Sequence, residues 1–186
     1  FPMENFIGIW WSGSENDVIP AGDGANGYKA LAFHNVGSDF PVFADIQKYV
    51  VDAGKAAGAG DQVGTVLYNR GLYAAFLAAE AAKAAQAASG NANFSAADMR
   101  DAMEALKIDE ARMAAAGLPG FGPEFEVSCE NHGGPGNVAV AQWDAGAAKW
   151  SLISDFAPAD GDVVNPLIMA DSEAYAAENN IEMSCQ

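Results

Sequence analysis

Positive charge is what this sequence has least of. Nine Lys and Arg stand against 25 Asp and Glu in 186 residues, giving a formal net charge of −16 and a pI near 4.1. Such a surface repels phosphate backbones and anionic lipid alike, which argues against nucleic acid and membrane surfaces as partners. Long apolar runs are also missing. The longest, such as residues 72–79, is Ala-rich and falls short of the roughly 20 residues a membrane span requires, so no direct membrane insertion is expected. Residues 54–64 contain several glycines but lack the Lys-Ser/Thr ending of a phosphate-binding loop, and no Gly-x-Ser-x-Gly elbow occurs. Nucleotide use and serine hydrolysis are unsupported, and neither catalytic residues nor a cofactor is expected.

Cysteine and histidine are scarce, at two residues each. Cys129 and Cys185 lie about 55 residues apart, with the second near the chain end, and allow either one bridge that ties down the tail in an oxidising compartment or two unpaired thiols. Cys129 and His132 are three apart, but a zinc site needs three or four ligands and only His34 and Cys185 remain to complete a soft set. No metal site is expected.

What is present fits a folded globular chain: 51% of residues are hydrophobic and 18% charged. Phe1 opens with neither an initiator Met nor a signal-peptide profile and runs directly into a strand-like segment, so an upstream segment is expected to have been removed. Residues 5–10 read as a strand, 12–17 as a polar loop and 28–34 as a second strand. A helix is expected over 39–53, capped by Asp39 with Pro41 in its first turn, followed by a flexible loop over 54–61. Residues 64–88 form the longest helical stretch, apolar or small on nearly every side, so burial over most of its circumference is expected. Ser95 and Asp98 resemble a capping box opening the next helix, and a short helix follows over 109–116. Residues 125–129, 138–143 and 150–156 then alternate as a hairpin or three-stranded meander, before a last helix over about 162–178. This is a mixed α/β order. Two short front strands do not make a sheet large enough to cover helix 64–88, so a partner segment is expected to supply the missing strands.

The segment Asn5-Phe-Ile-Gly-Ile-Trp-Trp-Ser-Gly-Ser-Glu-Asn-Asp-Val-Ile-Pro-Ala-Gly22, followed by Gly27-Tyr-Lys-Ala-Leu-Ala32, resembles the leucine/isoleucine/valine-type periplasmic substrate-binding proteins of ABC importers. Helix 64–88 and the hairpin carrying Gln142, Trp143 and Asp144 fall in that family's order, and the resemblance covers residues 5–156. It implies the type I periplasmic-binding-protein fold, with two Rossmann-like α/β lobes joined by a three-stranded hinge, of which this chain is the carboxy-terminal half. Residues 1–36 would close the second lobe, 37–121 belong to the first, 122–156 form a hairpin returning across the hinge, and 157–186 form a helical tail outside the shared core. The implied role is a periplasmic receptor, not an enzyme, that captures an amino acid or related organic acid. Its partners would be the amino-terminal half of the same protein and the membrane permease of an ATP-driven importer. The same architecture also serves as the ligand-sensing module of signalling systems.

Ligands of such folds sit beyond strand ends, which directs attention to Trp10, Trp11 and Glu15. By the resemblance, Trp10 stands where relatives carry an acid that holds the ligand's ammonium; an indole there would stack on a cation or a ring instead. Glu15 and Asp17 would restore the lost charge or be ordinary solvated acids. The second place is Tyr68-Asn69-Arg70 in the early turns of helix 64–88. A cation is unfavourable near the positive helix end unless an anion accompanies it, so Arg70 calls for either a ligand carboxylate or a salt bridge to a neighbouring acid.

Overall fold

The computed structural model describes residues 2–58 and 60–182. Four strands form the main sheet, β1 (Ile7–Gly8), β2 (Lys29–Ala32), β5 (Ala139–Asp144) and β6 (Lys149–Leu152), in the order β1-β2-β5-β6. β1 runs parallel to β2, whereas β2–β5 and β5–β6 are antiparallel. Alternation decides which face is buried: Ala30 and Ala32 of β2, with Ala141 and Trp143 of β5, point the same way into a core shared with Val18, Val66 and Trp150. Trp143 faces Trp150 across the β5–β6 ladder with ring centroids 5.5 Å apart.

The expected strand over 5–10 is therefore only two residues long, because β1 finds ladder partners at Lys29 and Ala30 alone. A 3₁₀ turn, Trp10–Ser12, takes over beyond it. The expected loop over 12–17 contains a single helical turn, α1 (Glu15–Val18), held by Asp17, whose Oδ2 accepts from Ser14 N at 3.1 Å and Ser14 Oγ at 2.6 Å. The first helix of the middle segment, α2 (Pro41–Ile46), is preceded by Phe40 rather than by the expected cap Asp39, and continues as a π-helical turn to Val51.

α3 (Val66–Ser89) is the longest helix, opened by Thr65, whose Oγ1 accepts from Tyr68 N, and closed by Gly90 in the left-handed region at φ +65°. It buries one stripe, with Phe76, Glu80, Ala81 and Ala85 inward, while Ala74, Ala75, Ala78 and Ala79 are exposed. Burial over most of its circumference is not observed. Alanine makes that possible, since its single methyl leaves little apolar area in water.

The stripe packs on a second core of Phe43, Leu106, Ile108, Met113, Leu118 and Phe121. Around it lie α4 (Ala96–Glu104), with the Ser95–Asp98 capping box formed as expected, and α5 (Glu110–Ala115), capped by Asp109. Gly117, at φ +76°, lets the chain pass against α2: its carbonyl accepts from Val42 N at 3.0 Å, and a Cβ there would lie 2.9 Å from that nitrogen. Of the expected hairpin or three-stranded meander, the hairpin forms, as β5–β6, and the third strand does not join it. β4 (Phe125–Glu126) pairs instead with β3 (Lys107–Ile108) in a separate two-stranded sheet, placed there by the insertion of Phe125 and Val127 against the second core. α6 (Gly161–Asn179) ends the described chain and is exposed except at Ala176 and a few half-covered positions. Among the described residues, no helix is long and apolar enough to cross a membrane.

Candidate functional site

The 3₁₀ turn after β1, the end of β2 and the first turns of α3 converge. Glu15 of α1 reaches across to α3, where its Oε2 accepts from Val66 N at 3.0 Å. With Thr65 Oγ1 serving Tyr68 N, two of the free N–H groups that open α3 are satisfied by side chains. The carboxylate sits where the helix dipole favours negative charge, and it ties the aromatic turn to the helix that carries Arg70.

Arg70 projects back over that turn. Its Nη2 donates to the Trp10 carbonyl at 3.1 Å, and its guanidinium carbon lies 3.9 Å from the Trp10 ring centroid and 5.5 Å from that of Trp11. The two indoles are 4.7 Å apart, and the edge of Phe33 meets Trp10 at 5.2 Å. Trp11 is 69% exposed. Of the two alternatives for Arg70, the salt bridge to a neighbouring acid does not form: among the described residues no carboxylate oxygen comes within 4.0 Å of it. Asp17 contributes attraction from farther away, while burial works against the charge and lowers the Arg70 pKa. Two buried donors, Arg70 Nε–H and Trp10 Nε1–H, have no protein acceptor.

His34 follows Phe33 at the end of β2 and is 2% exposed. Its Nδ1 donates to Asn35 O at 2.8 Å, which places the proton on Nδ1 and leaves Nε2 as a buried acceptor without a partner. Burial lowers its pKa most; the contact with the Asn35 carbonyl opposes this, and the Arg70 charge adds to the lowering. The ring stacks on Phe121 at 5.5 Å and stands 6.4 Å from Tyr73, whose own pKa is raised by burial.

Of the residues singled out in the sequence, Trp10, Trp11 and Arg70 come together and Glu15 supports them. Tyr68 and Asn69 do not join them, because successive residues of a helix diverge by about 100°. Tyr68 packs toward Phe43 in the second core. Asn69 is fully buried, with Nδ2 donating to Gly37 O at 2.8 Å and Oδ1 unpartnered. Phe33 and His34 were missed; the signal for them was their position at the end of a strand, where open α/β sheets place ligands.

Elsewhere, Cys129 and His132 do approach one another, together with Glu104, within 4.8 Å, but Cys129 is disulfide-bonded and offers no thiolate to a metal. No fourth His, Cys, Asp or Glu joins this trio among the described residues, and His34 is buried in the other region. Cys185, the expected partner of Cys129, lies outside the described residues.

Two solved structures are similar to this arrangement of elements. One, described as an ABC transporter permease from the Pseudomonas fluorescens group, matches 100% of this chain at 36% identity with a TM-score of 0.90. The other, a branched-chain amino acid ABC transporter from Thermus thermophilus with bound valine, matches 86% of it at 17% identity with a TM-score of 0.62. The fold is therefore part of a periplasmic-binding-protein fold. This chain spans 45% of the first structure and 41% of the second, less than half of either. No family model matches the chain, and no curated protein does.

Proposed function

We propose that this chain is part of a periplasmic solute-binding receptor of the branched-chain-amino-acid type, which captures an amino acid or related small organic acid and delivers it to the membrane permease of an ABC importer. The observation that carries the reading is Arg70: a guanidinium stacked on Trp10, with a buried unpaired Nε–H and no carboxylate within salt-bridge distance. A planar fork with a donor lacking an acceptor, beside an indole N–H in the same state, is suited to a carboxylate once movement of the lobes uncovers these buried atoms. The likeness to a transporter solved with valine supports a binding role.

In this reading residues 1–36 and 122–156 belong to one lobe and 37–121 to the other. The ligand shifts an open–closed equilibrium by contacting both. Arg70, on α3, and the Trp10–Trp11 turn would then lie on opposite sides of the closing seam, with the Glu15–Val66 bond spanning it.

The test is isothermal titration of the full-length protein against a panel of amino acids and small organic acids, with thermal shift as a second readout. Saturable binding of an acid is expected, weakened by Arg70→Met by about 10- to 100-fold, the loss of one or two charge-assisted hydrogen bonds. Absence of binding across the panel overturns the proposal, as does binding that Arg70→Met leaves unchanged.

A further inference from the structure

We infer that the Trp10–Trp11–Arg70 cluster selects a carboxylate borne on a flat, aromatic or unsaturated body, and discriminates against the ammonium group of an amino acid. The inference rests on the receptor reading above and narrows its ligand class.

An ammonium needs an anionic or carbonyl-rich seat, and among the described residues no carboxylate oxygen lies within 4.0 Å of Arg70, while the acids of the adjoining turn each engage one oxygen locally. Asp17 uses Oδ2 to accept from both Ser14 N and Ser14 Oγ, and Glu15 uses Oε2 to accept from Val66 N. The Trp10 carbonyl already accepts from Arg70 Nη2. What the cluster leaves unpaired are donors, Arg70 Nε–H and Trp10 Nε1–H. Donors without acceptors favour an anion and penalise a second cation, since a site that strands a buried donor loses the whole of its desolvation.

The body of the ligand is addressed by the rings. Trp11 is largely exposed beside a guanidinium that already covers Trp10, and Phe33 closes the far edge of Trp10. An open indole face next to a cation is a stacking platform for a flat ring whose carboxylate reaches the guanidinium.

Matched pairs that differ only in the ammonium test this on the full-length protein: 3-phenylpropanoate against phenylalanine, and 4-methylpentanoate against leucine, by calorimetry. Each ammonium-free acid is expected to bind more tightly than its amino acid by about tenfold or more, a penalty of the size expected for an unpaired charge at a polar site. Within the ammonium-free pair, 3-phenylpropanoate is expected to bind more tightly, with the preference reduced by Trp11→Leu. Amino acids that bind as tightly as their partners, or more tightly, overturn the inference and leave the receptor reading standing. Preference for 4-methylpentanoate, or a Trp11→Leu protein with the aromatic preference intact, overturns the selection of a flat body. If no member of either pair binds while another panel acid does, the inference alone falls; if nothing in the panel binds, both readings fall together. The wild-type pairs decide the ammonium question even if Trp11→Leu fails to fold.

Discussion

His34 has its one proton committed to the Asn35 carbonyl and its other nitrogen buried without a partner. Protonating Nε2 would place a cation in a dry pocket that already faces Arg70 from α3 and the ring of Tyr73, whose own ionisation burial opposes. The folded-state pKa therefore lies below the ordinary value of 6.5, and as pH falls through that value the unfolded chain takes up the proton first. This contribution to stability is complete above pH 6.5 and is lost progressively below it. Asn at this position keeps a donor for Asn35 O and does not titrate. His34→Asn is expected to flatten the fall in urea midpoint between about pH 7 and pH 5, whatever it does to the midpoint itself. An unchanged slope would show that the acid sensitivity arises elsewhere. Arg70 was legible as a charge out of place and Trp10 as a ring suited to a cation; that the two meet, and that Nη2 takes a backbone carbonyl 60 residues away, leaves no pattern in the sequence to read.

The link between elements that matters most here is the bond from Glu15 to Val66, 51 residues apart in sequence. It caps a 24-residue helix and holds the aromatic turn against it. Glu15→Ala is expected to cost about 1 kcal/mol, the usual worth of a capping side chain, read as a lowered urea midpoint at unchanged m value. If the bond also positions the site, acid binding should weaken in the same variant. Capping chemistry is local, so it was readable: Ser95 and Asp98 marked the start of α4, and Thr65 lay beside the expected start of α3. The Ser14–Asp17 pair carries the same signal, masked by acidic and glycine neighbours that give the segment the composition of a loop. Strand pairing is a different matter. β1 and β4 are two residues long and owe their existence to partners at Lys29–Ala30 and Lys107–Ile108, a dependence that no periodicity in residues 5–10 or 125–129 expresses.

At the scale of the whole molecule, α6 presents Val163, Leu167, Ile168, Met169 and Tyr175 to solvent, each about half exposed or more. Apolar surface gathered on one helix is more than a solvated monomer ordinarily displays. Residues 1–186 produced by themselves are expected to self-associate, and paired Leu167→Glu and Ile168→Glu substitutions to shift the population toward monomer, as sedimentation velocity would show. A monomer at every concentration before substitution would remove this expectation. The four tryptophans fall into two pairs. Trp143 and Trp150 are sealed in the sheet, at 2% and 5% exposure, whereas Trp10 and Trp11 lie at the guanidinium. The protein thus carries two optical populations: a blue-shifted pair shielded from added quencher, and a second pair whose emission is modulated by a cation lying on the ring. A carboxylate that draws Arg70 off Trp10 would change the light from the second pair alone, so the chain carries its own reporter of occupancy and needs no attached dye.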